Sequence, residues 1–186
     1  GIVRLEQCLE QYTAPESLSD PLTCDKCAMK TPATKQLTMS RLPNVLIVHL
    51  KRFDALRDVK IGSPVTFPLK GLDLGSFLTD WCPEGHEHPL AQGAKQQVAT
   101  AKSEEDSKGA APSLLYDLIG VANHMGTLSK GHYTAHVNEG GRWFFCDDTW
   151  IEAVSDQELY RMALTGHPYI LFYVRRKYSP LRIVGE

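Results

Sequence analysis

The stretch GHYTAHVNEGGRWFFCDD, residues 131–148, constrains the fold more than any other part of the chain. Glu139-Gly140-Gly141 is a turn signal, because glycine reaches the left-handed conformations that tight hairpin turns demand. Strand-like residues run away from it on both sides, over His132–Asn138 and Arg142–Cys146. The spacing predicts two antiparallel strands, with residues near 133 and 147 facing each other. His132 and the pair Asp147-Asp148 then stand together at the open end, where directly or diagonally opposed side chains meet. A hydrogen-bonded histidine and aspartate are the base and orienter of a nucleophile–base–orienter triad. The same pair can equally be a cross-strand polar contact that only stabilises a hairpin, since most histidines are not catalytic.

The rest of the chain predicts an α+β fold with an antiparallel sheet of several strands. Leu5, Cys8, Leu9 and Tyr12 fall at i, i+3, i+4 and i+7, one apolar helical face, and Ala14-Pro15 ends that helix. Pro21–Thr34 reads as a polar loop and Lys35–Ser40 as a short strand. NVLIVHLKRF, from Asn44 to Phe53, is the strongest strand signal, and its unbroken Val45–Val48 run predicts burial on both faces. Further strands are expected at Ser63–Leu69, Tyr116–Asn123 and Tyr169–Arg175. Ser155–Leu164 carries a serine N-cap and Glu158 three residues on, the signature of a capped helix. Thr79–Pro112 has no aromatic after Trp81 and is rich in small and charged residues, so a flexible surface insertion is expected over about 79–112.

At 186 residues the chain fits one domain or part of a larger one. A net charge of −2, with no basic stripe, speaks against a nucleic-acid binder, and no apolar run reaches membrane-spanning length. Five cysteines with one C-x-x-C pair do not form a disulfide framework, which points to an intracellular setting, nucleus or cytoplasm. Cys24 and Cys27 have the spacing of half a tetrahedral zinc site. Cys82, His86 and His88 sit in the insertion without a second C-x-x-C. None of the cysteines suits a nucleophile. Cys8 lies on a helix face, and Cys146 follows strand alternation beside a carboxylate, the wrong neighbour for a thiolate. The chain offers a base and an orienter without the thiol they would serve.

Several blocks resemble the ubiquitin-specific protease family in collinear order: LEQCLEQYTAPESL, LTCDKC, KQLTMSRLPNVLIVHLKRFD, VTFPLKGLDL, YDLIGVANHMGTLSKGHYTAHV, WFFCDD and YILFYVRR. They cover most of the chain outside Thr79–Pro112. The resemblance implies the C-terminal part of a papain-like, fingers–palm–thumb cysteine protease domain that hydrolyses the isopeptide bond after ubiquitin's last glycine. It implies His132 as general base, Asp147 as its orienting acid and Asp148 as the second acid of the pair. Tyr133, Phe53, His124 and Gly131 fall at positions associated with the channel for ubiquitin's Gly-Gly tail. Asp54–Lys60 and the stretch from Asn123-His124 to Lys130 resemble its two blocking loops. Cys24 and Cys27 match the second zinc pair, so a structural Zn²⁺ would find half of its ligands here. The family's cysteine box and first zinc pair find no match, which implies that the nucleophile lies on an N-terminal half outside this sequence. The implied partners are ubiquitin, ubiquitinated proteins and that N-terminal half. The alternative is a catalytically inactive ubiquitin-binding or scaffold module of the same fold. Cys146, His136 and Pro168 depart from the residues common at their positions.

Overall fold

A computed structural model describes residues 1–54, 56–78, 114–127 and 129–176. The expected insertion, with Cys82, His86 and His88, lies outside the described residues. The elements in chain order are β1 (Val3–Arg4), α1 (Leu5–Thr13), β2 (Glu16–Ser17), β3 (Leu22–Thr23), β4 (Lys30–Thr31), β5 (Thr34–Lys35), β6 (Val45–His49), β7 (Phe53–Asp54) and β8 (Val59–Lys60). There follow β9 (Val65–Thr66), β10 (Leu72–Asp73), β11 (Leu115–Gly126), β12 (Gly131–Glu139), β13 (Arg142–Asp147), β14 (Trp150–Val154), α2 (Asp156–Ala163) and β15 (Pro168–Arg175).

A seven-stranded sheet organises the molecule, in the order β14-β13-β12-β11-β15-β6, with β10 joined to the start of β11. Every pairing in it is antiparallel. The β12–β13 hairpin forms as its sequence predicts. Glu139 pairs with Arg142, and Gly140 and Gly141 make the two-residue turn at φ 58° and 82°. Two consecutive positive φ values match the twist of the flanking strands and favour glycine. The serine-capped helix also forms: the Ser155 hydroxyl accepts from the Glu158 backbone N–H, and the Glu158 carboxylate accepts from the Ser155 N–H.

Leu5 and Leu9 of α1, Leu159 and Ala163 of α2, and Leu118, Val121, Trp143, Leu171 and Tyr173 of the sheet belong to one apolar cluster. Tyr173 is fully buried, and burial pushes its phenol pKa strongly upward; its hydroxyl donates to the Pro68 carbonyl at 2.9 Å. A buried phenol needs such an acceptor, since an unpaired hydroxyl there would carry its full desolvation cost.

Three expectations need correcting. The Val45–Val48 run is not covered on both faces: Val45 is 50% and Ile47 60% exposed, while Leu46 and Val48 pack against the core. Among the described residues β6 is the outer strand of the sheet and pairs only with β15, so a continuous apolar run here marks one bare face rather than a central strand. Tyr12 is 61% exposed although it continues the apolar stripe of α1. The Lys35–Ser40 strand shrinks to Thr34–Lys35 paired with β2, and Met39 makes only an isolated bridge to Leu78.

Candidate active site

The site forms where β12 leaves the loop at Gly131 and β13 ends at Asp147. Ala135 pairs with Cys146, so continuing the register puts Thr134, rather than residue 133, opposite Asp147. His132 is then a diagonal neighbour of Asp147 on the same face, within reach of a long side chain. The two are hydrogen bonded, His132 Nε2 to Asp147 Oδ1 at 2.5 Å. Asp148 opens the two-residue turn into β14 with φ 49°, a left-handed conformation that aspartate tolerates better than most residues. His132, Asp147 and Asp148 each place a polar atom within 4.8 Å of the others. One histidine and two carboxylates can ligate a cation, but here Nε2 and a carboxylate oxygen face each other in a hydrogen bond. That is an acid–base arrangement. With Nε2–H donating to Asp147, Nδ1 carries the lone pair that can take a proton from a nucleophile.

On the other side of the sheet's end stands a cluster of rings. Alternation sends Tyr133 to the face opposite His132. Its ring lies 4.7 Å from that of His124, which in turn lies 5.3 Å from Phe53 and 6.0 Å from Tyr169. Tyr169 also meets His49 edge-on at 4.6 Å. The shift in register between β11 and β15 leaves Tyr169 as an extra residue between Pro168 and Ile170. Such a bulge re-aims a side chain, here into the cluster. Sequence reasoning missed Tyr169, because a bulge within a strand has no signature in the alternation, and with it His49, which joins the cluster through Tyr169.

Asn123 and His124 do not begin a loop, which corrects the expected course of that segment. Both are buried inside β11, which continues to Gly126, leaving only residues 127–130 to connect it with β12. Burial lowers the His124 pKa, and the nearby Lys60 lowers it further, so a neutral ring is favoured. Lys60 on β8 donates through Nζ to the His124 carbonyl at 2.5 Å. The Asp54–Lys60 segment is not an open loop either. Phe53 pairs with Lys60 and Asp54 with Val59 in a small hairpin. Arg52 fixes the base of that hairpin, donating to the carbonyls of Pro168, Ile61 and Ser63 at 2.6, 3.0 and 2.7 Å. Gly131 is required by space. A methyl group there would overlap His124 Nε2 and stand 2.8 Å from the Met125 carbonyl oxygen.

Among the described residues, none of Cys8, Cys24, Cys27 and Cys146 is hydrogen bonded to the His132–Asp147 pair. Cys146 follows the ladder between Ala135 and Ile151, and alternation sends it to the face opposite Asp147. Cys8 packs at the fringe of the core, and burial raises its thiol pKa. Cys24 and Cys27 occupy the turn of the β3–β4 hairpin, closed by Cys24 N–H to the Met29 carbonyl and Ala28 N–H to the Cys24 carbonyl. Hydrogen bonds from the backbone N–H groups of Cys27 and Lys26, and from the Cys27 thiol, lower the Cys24 pKa. A turn that presents two thiols and favours thiolate fits two of the four ligands of a tetrahedral zinc site.

The sequence profile described as Ubiquitin carboxyl-terminal hydrolase matches residues 8–173. The chain belongs to this family. Among curated relatives it is 37% identical over 176 residues to Ubiquitin carboxyl-terminal hydrolase 4 of Eremothecium gossypii, covering 92% of this chain and 18% of that protein. It is 34% identical over 185 residues to Ubiquitin carboxyl-terminal hydrolase 27 of Mus musculus, covering 97% and 38%. Among solved structures, it resembles a chain of the SAGA DUB module Ubp8/Sgf11/Sus1/Sgf73 bound to monoubiquitin with a TM-score of 0.67. That match has 28% identity and covers 95% of this chain and 34% of that one. The same module bound to ubiquitin aldehyde gives a TM-score of 0.68. The α+β fold with its antiparallel sheet is therefore that of a ubiquitin-specific protease domain. The chain spans well under half the length of these relatives. Among the described residues no helix is long and apolar enough to cross a membrane.

Proposed function

We propose that this chain is the base-bearing part of a thiol-dependent deubiquitinase that hydrolyses the isopeptide bond between ubiquitin and a modified protein. The observation that carries the reading is the His132 Nε2–Asp147 Oδ1 hydrogen bond at the mouth of the hairpin, with Asp148 beside it. In this mechanism His132 Nδ1 takes the proton of a cysteine thiol that lies outside this sequence. The thiolate attacks the carbonyl carbon of ubiquitin's C-terminal glycine. The imidazolium, stabilised by Asp147, then protonates the departing lysine amine, and a water activated by the same imidazole hydrolyses the acyl-enzyme. The rings of Phe53, His124, Tyr133 and Tyr169 would flank the narrow, side-chain-free Gly-Gly tail. A Zn²⁺ on Cys24 and Cys27 would need its remaining ligands from elsewhere and would act structurally.

The half-exposed state of the pair supports this reading. The His132 side chain is 47% and that of Asp147 36% exposed, so a nucleophile-bearing segment has room to approach. The test is hydrolysis of ubiquitin-AMC by the intact protein that carries this segment. His132→Ala is expected to lower kcat/KM by at least about 10³-fold while ubiquitin binding persists. Undiminished turnover in that variant would overturn the assignment and favour a hydrogen-bonded pair of purely structural value.

A further inference from the structure

We propose that Lys60 is a positioning residue of the tail channel: its ammonium ties the β7–β8 hairpin to β11 and so holds the Phe53 ring in the channel wall before ubiquitin's Gly-Gly tail enters. This rests on the deubiquitinase reading and extends it from the rings to the side chain that sets them.

The hairpin cannot hold its own place. Among the described residues β7 and β8 pair only with each other, Phe53 with Lys60 and Asp54 with Val59. A lone two-stranded hairpin is marginal in water. Arg52 secures its base. Beyond that base, Lys60 Nζ to the His124 carbonyl is, among the described residues, the one hydrogen bond that joins residues 53–60 to the seven-stranded sheet.

That bond lies where it can set the rings. Phe53 and Lys60 are direct ladder partners, so their side chains leave the hairpin on one face, about 5 Å apart at their roots. The Phe53 ring lies 5.3 Å from the His124 ring and 5.5 Å from that of Tyr169. The hairpin therefore grips His124 twice, by its ring through Phe53 and by its carbonyl through Lys60. β11 has its own anchorage, because His124 pairs with Tyr133 and its N–H donates to the His167 carbonyl at 2.9 Å. Loss of the ammonium would thus release the hairpin and Phe53, and leave His132 on β12 where it is.

A hairpin of purely structural value would not call for a cation here. The Lys60 side chain is partly buried and, among the described residues, forms no ion pair. Burial lowers its pKa and the nearby Arg52 lowers it further, so the charge is kept against both desolvation and repulsion. A neutral side chain of the same length would avoid that cost. What the charge supplies is a hydrogen bond to the His124 carbonyl roughly twice as strong as a neutral one.

The test uses the intact protein with Lys60→Met, which keeps the aliphatic stem and removes the donor. KM for ubiquitin-AMC is expected to rise about tenfold with kcat within about twofold, the effect of losing one charge-assisted hydrogen bond that orders the free enzyme. Binding of ubiquitin is expected to weaken by the same factor, and binding of ubiquitin that lacks its Gly-Gly tail by less than about twofold. Lys60→Arg, which can still donate to the carbonyl, is expected to stay within about threefold of the unaltered protein. An unchanged KM, a loss that falls on kcat instead, equal weakening of both ubiquitins, or an Arg variant as impaired as the Met variant would each overturn the proposal. If the unaltered protein neither binds ubiquitin nor cleaves ubiquitin-AMC, the deubiquitinase reading falls and this one with it. Normal turnover that Lys60→Met leaves untouched defeats this proposal alone.

Discussion

Asparagine in place of Asp147 is expected to lower kcat on ubiquitin-AMC by about 10³–10⁴-fold, with KM nearly unchanged. The exchange preserves shape and leaves the ladder partners Trp150 and, by continuing register, Thr134 in place. What it removes is the charge. An amide stabilises the imidazolium that forms when His132 takes the thiol proton far less than a carboxylate does, and if it presents its NH₂ group to Nε2 it selects the wrong tautomer. The loss should therefore fall on a step made after ubiquitin binds. A thermal melt separates this from unfolding: a half-exposed, isosteric exchange should move Tm little, whereas a purely structural pair would lose stability and keep its rate. A small kinetic effect with a large drop in Tm would reverse the assignment.

Gly131→Ala should cost activity by a different route. The added methyl meets His124 Nε2 and the Met125 carbonyl. His124 cannot readily turn aside, because Phe53, Tyr133 and Tyr169 pack round its ring and Lys60 holds its carbonyl. The strand must shift instead, carrying the neighbouring His132 with it. A displacement of ~1 Å at a reacting group costs on the order of 10² in rate. Overpacking of this kind also destabilises by about 1–3 kcal/mol. The expected result is a kcat/KM about 10²-fold lower together with a reduced Tm. Gly62→Ala is the matching control, since an added methyl there meets nothing within 4 Å. Equal effects of the two substitutions would mean that the crowding at Gly131 is not what matters.

These two sites differ in how readily the sequence shows them. The hairpin could be read directly, because paired glycines fix the turn and the turn brings His132 near Asp147, although the expected register was one residue out: Thr134, not residue 133, stands opposite Asp147. The capped helix was equally legible, because Ser155 and Glu158 satisfy backbone groups within four residues of each other. Local chemistry decides such elements. The ring cluster was only half legible. Phe53, His124 and Tyr133 came from resemblance, while Tyr169 enters through a bulge set by the pairing of β15 with β11, a contact between distant segments. The course of residues 123–130 was misjudged for a related reason. The loop expected from Asn123-His124 to Lys130 came from resemblance, yet Gly126 pairs with Gly131 and β11 runs to Gly126. The VLIV run of β6 was misread because hydrophobic continuity does not distinguish a strand buried on both faces from an outer strand whose second face is bare. Val45 and Ile47 show the latter.

On the proposed function, this segment supplies the base and its orienter, and the nucleophile comes from outside residues 1–186. Ubiquitin carrying a thiol-reactive electrophile at its C-terminus tests that directly. It is incubated with the intact protein, and the adduct is mapped by peptide mass spectrometry. The expected result is a single modified cysteine outside this sequence, with labelling slowed sharply by His132→Ala. An adduct on Cys8, Cys24, Cys27, Cys82 or Cys146, or none on the unaltered protein, would contradict it.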